Sequence, residues 1–325
     1  MSQENMDHEA PYGSSARAEL LPENPTFAGH QTFALRSGWL KKGLDALQTE
    51  TVGTADVFRR DDALVTLGVG KNMVQAIRHW LVVTRLVEDV PGTRGQQLTP
   101  SWLGLSLMGR PDAPGWDPYL EDEATLWLLH WRLAGPGSLA LTWVWTFSYF
   151  NEYEFSRQSL ADAVYRAATA RCRRTPALST IERDVECLLH TYAGIAGSRM
   201  SEDHLDSPLV ALGLIRHAFE RSYRFDIGHR ASLPTTIFAA MLLEYWEWAH
   251  PAHSTMSFHD IAYGEGSPGR VLKLDEDTLL EYLDHIADVT DGMIRFDDTP
   301  LGRQLIRTKS ETLDAAALLS RYYGA

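Results

Sequence analysis

The sequence feature that most constrains this chain is a helical pattern that follows a glycine turn. Gly68-Val69-Gly70 supplies the turn, and a short helix is expected before it, from about Asp61 to Leu67. In the next stretch, apolar residues recur at helical spacing, at Met73, Val74, Ile77, Trp80 and Leu81. Polar residues occupy the other face, at Lys71, Asn72, Gln75, Arg78 and His79. The pattern predicts an amphipathic helix with a polar, basic outer surface.

A hairpin is predicted directly after this helix. Leu86 to Val90 is strand-like, Pro91 to Gly95 has turn residues, and Gln97 to Thr99 can pair back. Short helix, glycine turn, helix and hairpin form the order of a winged helix-turn-helix. We therefore predict a DNA-contacting surface, with its residues at Lys71, Asn72, Gln75, Arg78 and, on the hairpin, Arg94. Winged helices also dock proteins or form dimers, and that alternative stays open.

The rest of the chain predicts a mainly α protein with small β-hairpins. The predicted segments are a disordered tail (1–25), a winged-helix DNA-binding domain (26–111), a helical middle domain (112–200) and a C-terminal helical domain (201–325). The last segment repeats the first pattern: a helix from Leu233 to Trp248, a glycine-rich turn, a helix from Thr278 to Ile286 and a strand from Met293 to Phe296. It therefore predicts a second winged-helix-like unit. The aromatic stretch from Leu139 to Phe150 favours core over a base-stacking platform.

Charge and composition restrict which partners and which cellular compartment are expected for this chain. The net charge is −13, yet residues 28–110 contain ten Lys/Arg against seven Asp/Glu, so this part is positive and the remainder carries the acidic excess. This asymmetry favours a DNA-facing N-terminal part. No apolar run approaches the ~18 residues of a membrane span, and no signal peptide is evident. Two cysteines, Cys172 and Cys187, are too few for a disulfide framework. We expect a soluble cytoplasmic protein that does not bind membranes.

A segment before the glycine turn, Phe27 to Leu44, interleaves aromatic residues with cations and amides. Such a surface suits contact with phosphates and bases. Its candidate DNA-binding residues are Gln31, Arg36, Lys41 and Lys42. His30 is the natural acid or base by its pKa range. The alternative is a partly buried entry loop in which His30 only caps a helix.

Few other chemical motifs are visible. Neither Gly68-Val69-Gly70-Lys71 nor Gly264 to Arg270 has the ending of a phosphate-binding P-loop, so no nucleotide cofactor is expected. Zinc-site spacings are missing. The carboxylate pair Asp61 and Asp62 offers ligands for a divalent ion, although such pairs are more often solvated helix starts. Gly264 to Arg270 is either an anion-binding turn, with Arg270 on the anion, or a docking loop.

Several blocks in fixed order resemble one bacterial family. They are Gly29 to Phe33, Gly38 to Gly43, Asp61 to Val74, Leu120 to Trp131 and Gly264 to Arg270. The family is a bacterial domain of unknown function encoded beside DNA phosphorothioation genes, and its best-known member type is the nickase subunit of a single-strand phosphorothioation defence system. The resemblance covers Phe27 to about Ile306.

The resemblance implies a DNA-nicking endonuclease that acts on double-stranded DNA so that partners install sulfur in the backbone. The implied partners are an ATPase, a PAPS-reductase-like ATP pyrophosphatase and a cysteine desulfurase. Strand cleavage needs charge stabilisation and usually a metal, here Mg²⁺ or Mn²⁺. The candidate catalytic residues are His30, Asp61 and Asp62. The competing hypothesis is a non-catalytic DNA-reading or scaffold subunit that recruits the ATPase and the PAPS-reductase-like partner.

Overall fold

The computed structural model describes residues 20–22, 24–49, 56–194, 207–300, 302–308 and 313–324 of the chain. The described residues form mainly α-helices, joined by four small antiparallel sheets. The mainly α prediction is therefore confirmed. No helix among these residues has both the length and the apolar composition required to cross a membrane.

The N-terminal part follows the predicted order of helices and hairpin. Its helices are α1 (Trp39–Gln48), α2 (Ala63–Leu67), α3 (Lys71–Val83) and α4 (Trp102–Met108), with a short 3-10 helix at Val57–Arg59 before α2. Its strands are β1 (Val87–Asp89), β2 (Leu98–Pro100), β3 (Gly109–Arg110) and β4 (Ala113–Pro114). Strands β1 and β2 pair as the predicted hairpin. We call residues 39–49 and 56–100 the N-terminal unit.

Helix α3 packs as its apolar spacing predicts. Val74, Ile77 and Leu81 are buried against the core, because residues three or four apart lie on the same helix face. Gly68 ends α2 in the left-handed conformation, with φ of 61°, and its N–H donates to the carbonyls of that helix. This conformation suits glycine, which explains the sharp turn between α2 and α3.

The middle part consists of four helices. They are α5 (Glu123–Ala134), α6 (Leu141–Ser148), α7 (Arg157–Arg171) and α8 (Leu178–Ala193), with strand β5 (Glu154–Phe155) between α6 and α7. Asp122 begins α5 by accepting a hydrogen bond from the N–H of Ala124. Trp143 and Phe147 of α6 are buried, as expected for core.

The C-terminal part contains more strand than the sequence predicted. Its strands are β6 (Ile215–His217), β7 (Tyr223–Phe225), β8 (Thr255–Ser257), β9 (Ile294–Thr299) and β10 (Gly302–Arg307). Its helices are α9 (Thr235–Ala249), α10 (Phe258–Tyr263), α11 (Pro268–Val271), α12 (Glu276–Asp284), α13 (Ile286–Val289) and α14 (Ala315–Tyr323). The sheets have the orders β5-β7-β6 and β8-β10-β9. We call residues 235–300 and 302–307 the C-terminal unit.

One connected cluster of buried hydrophobic side chains runs through all three predicted folded segments. Trp80 of α3 meets Trp143 of α6 edge-on, with ring centroids 5.8 Å apart. Tyr323 of α14 stacks on Trp116 at 4.8 Å. The core therefore joins the segments through large aromatic contacts.

The predicted tail differs from the structure at its end. Leu20 and Leu21 are each only 4% exposed and belong to the core, although they lie in the segment 1–25 that was expected to be disordered. Gly266 makes this packing possible, because a β-carbon there would lie 2.7 Å from a methyl of Leu20. Residues 1–19 lie outside the described residues.

Candidate nucleic-acid interface

The first turns of α3 present the polar surface that was predicted. Lys71, Asn72 and Gln75 are exposed, on the side of the helix opposite to the buried Val74 and Ile77. Two amide side chains and one ammonium group supply donors and acceptors of the kind that contact base edges and phosphates. These three residues confirm the predicted polar face of α3.

Arg78 was predicted on the same exposed face but is half-buried. Its Nε donates to Oδ2 of Asp56 at 3.0 Å, and its Nη2 donates to the carbonyl of Gly95 at 2.8 Å. Asp56 is buried and also accepts from the N–H of Phe58. Arg78 therefore ties α3 to the hairpin turn, because a buried carboxylate and a carbonyl in the turn satisfy its donors.

The hairpin turn lies beside the 3-10 helix before α2. Arg59 reaches the same Gly95 carbonyl with Nη2, at 3.4 Å. Arg94, predicted to contact DNA, is exposed in the turn and has a left-handed backbone with φ of 52°. The contacts to the Gly95 carbonyl place the backbone of this turn next to Arg59, in the 3-10 helix before α2.

A shallow groove of about 330 Å³ contains both Asp61, one of the candidate catalytic residues, and residues of the polar face of α3. It is lined by residues of the 3-10 helix, α2 and α3, among them Arg59, Arg60, Asp61, Lys71 and Gln75. The structure thus brings Asp61 next to Lys71 and Gln75. Arg59 and Arg60 were missed as site residues, although the adjacent pair of arginines before the pair of aspartates was a visible signal.

The two aspartates have different surroundings. Asp62 is paired with Arg60, whose Nε donates to Oδ1 at 2.8 Å and whose Nη2 contacts Oδ2. The hydrogen bonds from Arg60 hold the pKa of Asp62 below its usual range. Asp61 is exposed and forms no ion pair with a described residue. Asp61 is therefore the more accessible ligand of the two.

A second groove, of about 460 Å³, lies between α1 and α2. Its lining includes Lys41, Lys42, Thr66 and Tyr119. Nζ of Lys41 contacts Oδ1 of Asp45 at 2.5 Å. Nζ of Lys42 donates to the carbonyl of Leu67 at 3.1 Å, at the end of α2, while the side chain stays exposed. Both cations border solvent, as contact with phosphate requires.

The other cation of this segment, Arg36, is engaged with aromatic rings. Its guanidinium carbon lies 5.4 Å from the ring centroids of both Phe33 and Trp39. Cation–π contacts leave the N–H groups at the edge of the guanidinium available to an anion. Gln31 is exposed in the preceding turn, where it has φ of 50°.

His30 is completely buried. Its Nδ1 accepts a hydrogen bond from the N–H of Thr32 at 3.0 Å, so Nε2 carries the proton and donates to Oδ1 of Asp184 at 2.9 Å. Asp184 also accepts from the N–H of Ala28 and from Oγ1 of Thr142. In this conformation the imidazole joins the entry segment to α8 and cannot touch a DNA phosphate.

His79 was predicted on the outer face of α3 and is buried, with 6% exposure. The entry segment covers it: a β-carbon on Gly29 would lie 2.4 Å from its Nδ1, and the His30 ring lies 5.4 Å away. Burial lowers the pKa of His79 to about 3, and the neighbouring His30 and Arg78 act in the same direction. The prediction for His79 is wrong because a tertiary contact covers that part of the helix.

Arg270 is a structural contact between two parts of the chain. Its Nε donates to the carbonyl of Tyr263 at 2.7 Å, and its Nη1 donates to the carbonyl of Ser148 at 2.6 Å. The neighbouring Gly266 packs against Leu20. The Arg270 guanidinium, which was predicted to bind an anion, thus donates to two backbone carbonyls. Arg270 lines neither of the two grooves beside α2.

Residues 27–323 match the model of one protein family, described as "Protein of unknown function (DUF4007)". Because the match covers most of the chain, this protein belongs to that family, which confirms the resemblance. A comparison with curated proteins finds no match. Two solved structures are similar over 92% of this chain and 88% of theirs, each at 30% identity. They are the "Magnesium ion-bound SspB crystal structure", with a TM-score of 0.81, and the "SspB crystal structure", with 0.80. The chain is SspB-like in both sequence and fold.

Proposed function

We propose that this chain is the DNA-binding component of a bacterial DNA phosphorothioation defence system. The observation that carries the proposal is the similarity to the SspB structures over nearly the whole of both chains. The exposed polar face of α3 supports the DNA part of it. Double-stranded DNA is the proposed substrate.

In this proposal the N-terminal unit is a winged helix-turn-helix, and α3 enters the major groove. The order of α1, α2, α3 and the β1–β2 hairpin supports this assignment. Asn72 and Gln75 contact base edges, while Lys71, Lys42 and Arg94 contact phosphates. The phosphate contacts make the affinity fall steeply with salt, since each one releases counterions.

We further propose that the chain nicks one DNA strand and that Asp61 is the residue closest to the reaction. Mg²⁺ commonly uses one or two protein carboxylates together with substrate phosphates, so the accessible carboxylate of Asp61 fits such an ion better than the paired Asp62. No group of three His, Cys, Asp or Glu among the described residues forms a complete metal site. A bound Mg²⁺ or Mn²⁺ would stabilise charge that develops on the phosphate. Lys71 and Arg59 would orient the phosphate in the adjacent groove.

The test is a nicking assay on supercoiled plasmid with the full chain and Mg²⁺ or Mn²⁺. We expect open circles, with nicking lost in Asp61→Asn and DNA binding retained. Asp62→Asn is the matched control, because Arg60 already occupies that carboxylate, and it should retain nicking. Equal activity in the wild type and Asp61→Asn would remove Asp61 from the site.

The second candidate function is a non-catalytic DNA-reading or scaffold subunit. It recruits an ATPase and a PAPS-reductase-like partner, and a cysteine desulfurase supplies sulfur to the system. The burial of His30 favours this candidate, because the predicted acid or base has no access to solvent. Salt-dependent DNA binding without nicking, with either Mg²⁺ or Mn²⁺ present, would support the non-catalytic function.

A further inference from the structure

A cavity of about 750 Å³ is lined by residues from all three parts of the chain and shares none of them with the groove at Asp61. Its wall combines Arg85, which lies between α3 and β1, with the turn after α5, the second half of α9, the start of β9, the end of β10 and the start of α14. None of the residues proposed above to bind DNA or metal lines it. Its volume is in the range of small-molecule sites.

Much of the wall is apolar. Leu243 and Ile294 are buried, and Trp248, Met293 and Leu313 are half-buried around the opening. An indole and several aliphatic side chains around one concave space favour a ligand with an apolar body, since burying that surface releases water.

Two of the three carboxylates in the cavity wall are already bound by cations. Glu244 accepts from Nη1 and Nη2 of Arg132, at 2.8 and 2.6 Å, and from Nε1 of Trp131 at 2.9 Å. Glu247 accepts from Nη1 of Arg307 at 2.6 Å. Glu244 and Glu247 therefore have partners of opposite charge and are not available to balance a further cation. The third carboxylate, Asp314, accepts from the N–H of Ala317 at 2.7 Å, at the start of α14.

Arg85 is that further cation. Its Nη1 donates to the carbonyl of Pro136 at 2.9 Å, and no carboxylate among the described residues lies within ion-pair distance of it. Burial lowers the pKa of its guanidinium. Gly137 allows the close approach: its φ is 77°, and a β-carbon there would lie 2.7 Å from Nη1. The cavity thus holds a partly desolvated guanidinium that no carboxylate of the described residues contacts directly, while Glu244 and Glu88 act on it from farther away.

A second guanidinium in the wall has unused donors. Arg307 lies over the ring of Trp246, 4.7 Å from its centroid. Its Nε and Nη2 are buried and have no hydrogen-bond partner among the residues that the structure describes. Buried N–H groups without acceptors are unfavourable, so an acceptor supplied from the cavity side is stabilising.

We propose that this cavity binds a small amphipathic anion, with its apolar part against Trp248 and Leu243 and its single acidic group on Arg85. A carboxylate, phosphate or sulfonate satisfies the chemistry of the guanidinium. The proposal is independent of DNA binding, since the cavity and the α3 surface share no residue.

The test uses anilinonaphthalene sulfonate, an aromatic body with one sulfonate, titrated into the full chain. We expect one bound dye per chain, with energy transfer from tryptophan, and displacement by dodecanoate but not by the uncharged dodecanol. Arg85→Met should weaken dye binding about tenfold, ~1.4 kcal/mol. Lys71→Met is the matched control, because it removes one cation outside the cavity, and it should not change dye binding.

A cavity-filling variant gives the second readout. Ala315→Phe places a ring in the opening and should abolish dye binding while the melting temperature stays within a few degrees of the wild type. Should that variant fail to fold, the comparison of dye affinity between Arg85→Met and Lys71→Met still tests the proposal. Equal dye affinity in Arg85→Met and wild type, or displacement by dodecanol as strong as by dodecanoate, would overturn the proposal.

Discussion

The N-terminal and C-terminal units have a similar order of elements but opposite surface charge. In the N-terminal unit α3 presents Lys71, Asn72 and Gln75. In the C-terminal unit α12, which the short helix α13 separates from the β9–β10 hairpin, presents only acids among its exposed residues, at Glu276, Asp277, Glu281 and Asp284. A polyanion is attracted to the first helix and repelled by the second. Similar architecture therefore does not imply similar partners.

The two hairpins are also held differently. Strands β1 and β2 are three residues long, and side chains fix their turn through Arg78, Asp56 and the Gly95 carbonyl. Strands β9 and β10 are six residues long, and β8 adds backbone hydrogen bonds on the other edge of β10. The first hairpin is thus held by a polar network at its turn and by the burial of Val87 and Leu98, whereas a three-stranded sheet supports the second.

The largest effect is expected at low pH, where protonation of two buried histidines should destabilise both units. His79 lies on the covered side of α3, and His130 is buried where its Nε2 donates to the carbonyl of Val271, at 2.8 Å, in the C-terminal unit. Burial lowers the pKa of each to about 3, from an ordinary value of 6.5. The unfolded chain takes up these protons below about pH 6.5 and the folded chain does not, so stability is full above that pH and is lost as pH falls towards 3.

The expected slope of the free energy of unfolding is about 1.4 kcal/mol per pH unit for each histidine. Urea unfolding at a series of pH values measures it. His79→Gln should reduce the slope by about 1.4 kcal/mol per pH unit in this range, whereas Cys172→Ser is a control that leaves it unchanged. A slope that does not respond to His79→Gln would show that other groups determine the acid response.

The next prediction tests the charge difference between the units directly. Lys71→Glu should weaken DNA binding about tenfold, ~1.4 kcal/mol, because it places a carboxylate on the surface proposed to meet phosphate. Glu281→Lys on α12 changes charge by the same amount with opposite sign and should not weaken binding. Fluorescence anisotropy with a labelled duplex, at two salt concentrations, measures both. Loss of binding only in Glu281→Lys would reverse the comparison.

The smallest expected effect concerns the network that holds the first hairpin. Asp56→Asn keeps the acceptor for the Phe58 N–H but removes the charge that holds Arg78. If Arg78 positions the hairpin, DNA affinity should fall about threefold, a fraction of a kcal/mol. If Arg78 binds phosphate itself, removal of a competing carboxylate should raise the affinity instead. Asp45→Asn, which frees Lys41 at the surface, is the matched control.

Local pattern determined much of the fold. Apolar spacing predicted α3 and α9, and turn residues predicted the β1–β2 hairpin, because helix and strand periods are properties of a short stretch of chain. The polar face at Lys71, Asn72 and Gln75 followed from the same spacing. The short strands β5, β6, β7 and β8 were not predicted, since two or three residues carry too little alternation to be recognised and their pairing joins distant parts of the chain.

Tertiary structure alone decided which polar residues stay at the surface. His30, His79 and Arg78 carry no local mark of burial, yet Asp184, the entry segment and Asp56 lie against them from positions remote in sequence. Leu20 and Leu21 look like part of a polar tail until Gly266 offers a surface without a side chain. Sequence determines the period of each element, whereas the burial and hydrogen-bond partners of a side chain depend on which elements pack over it.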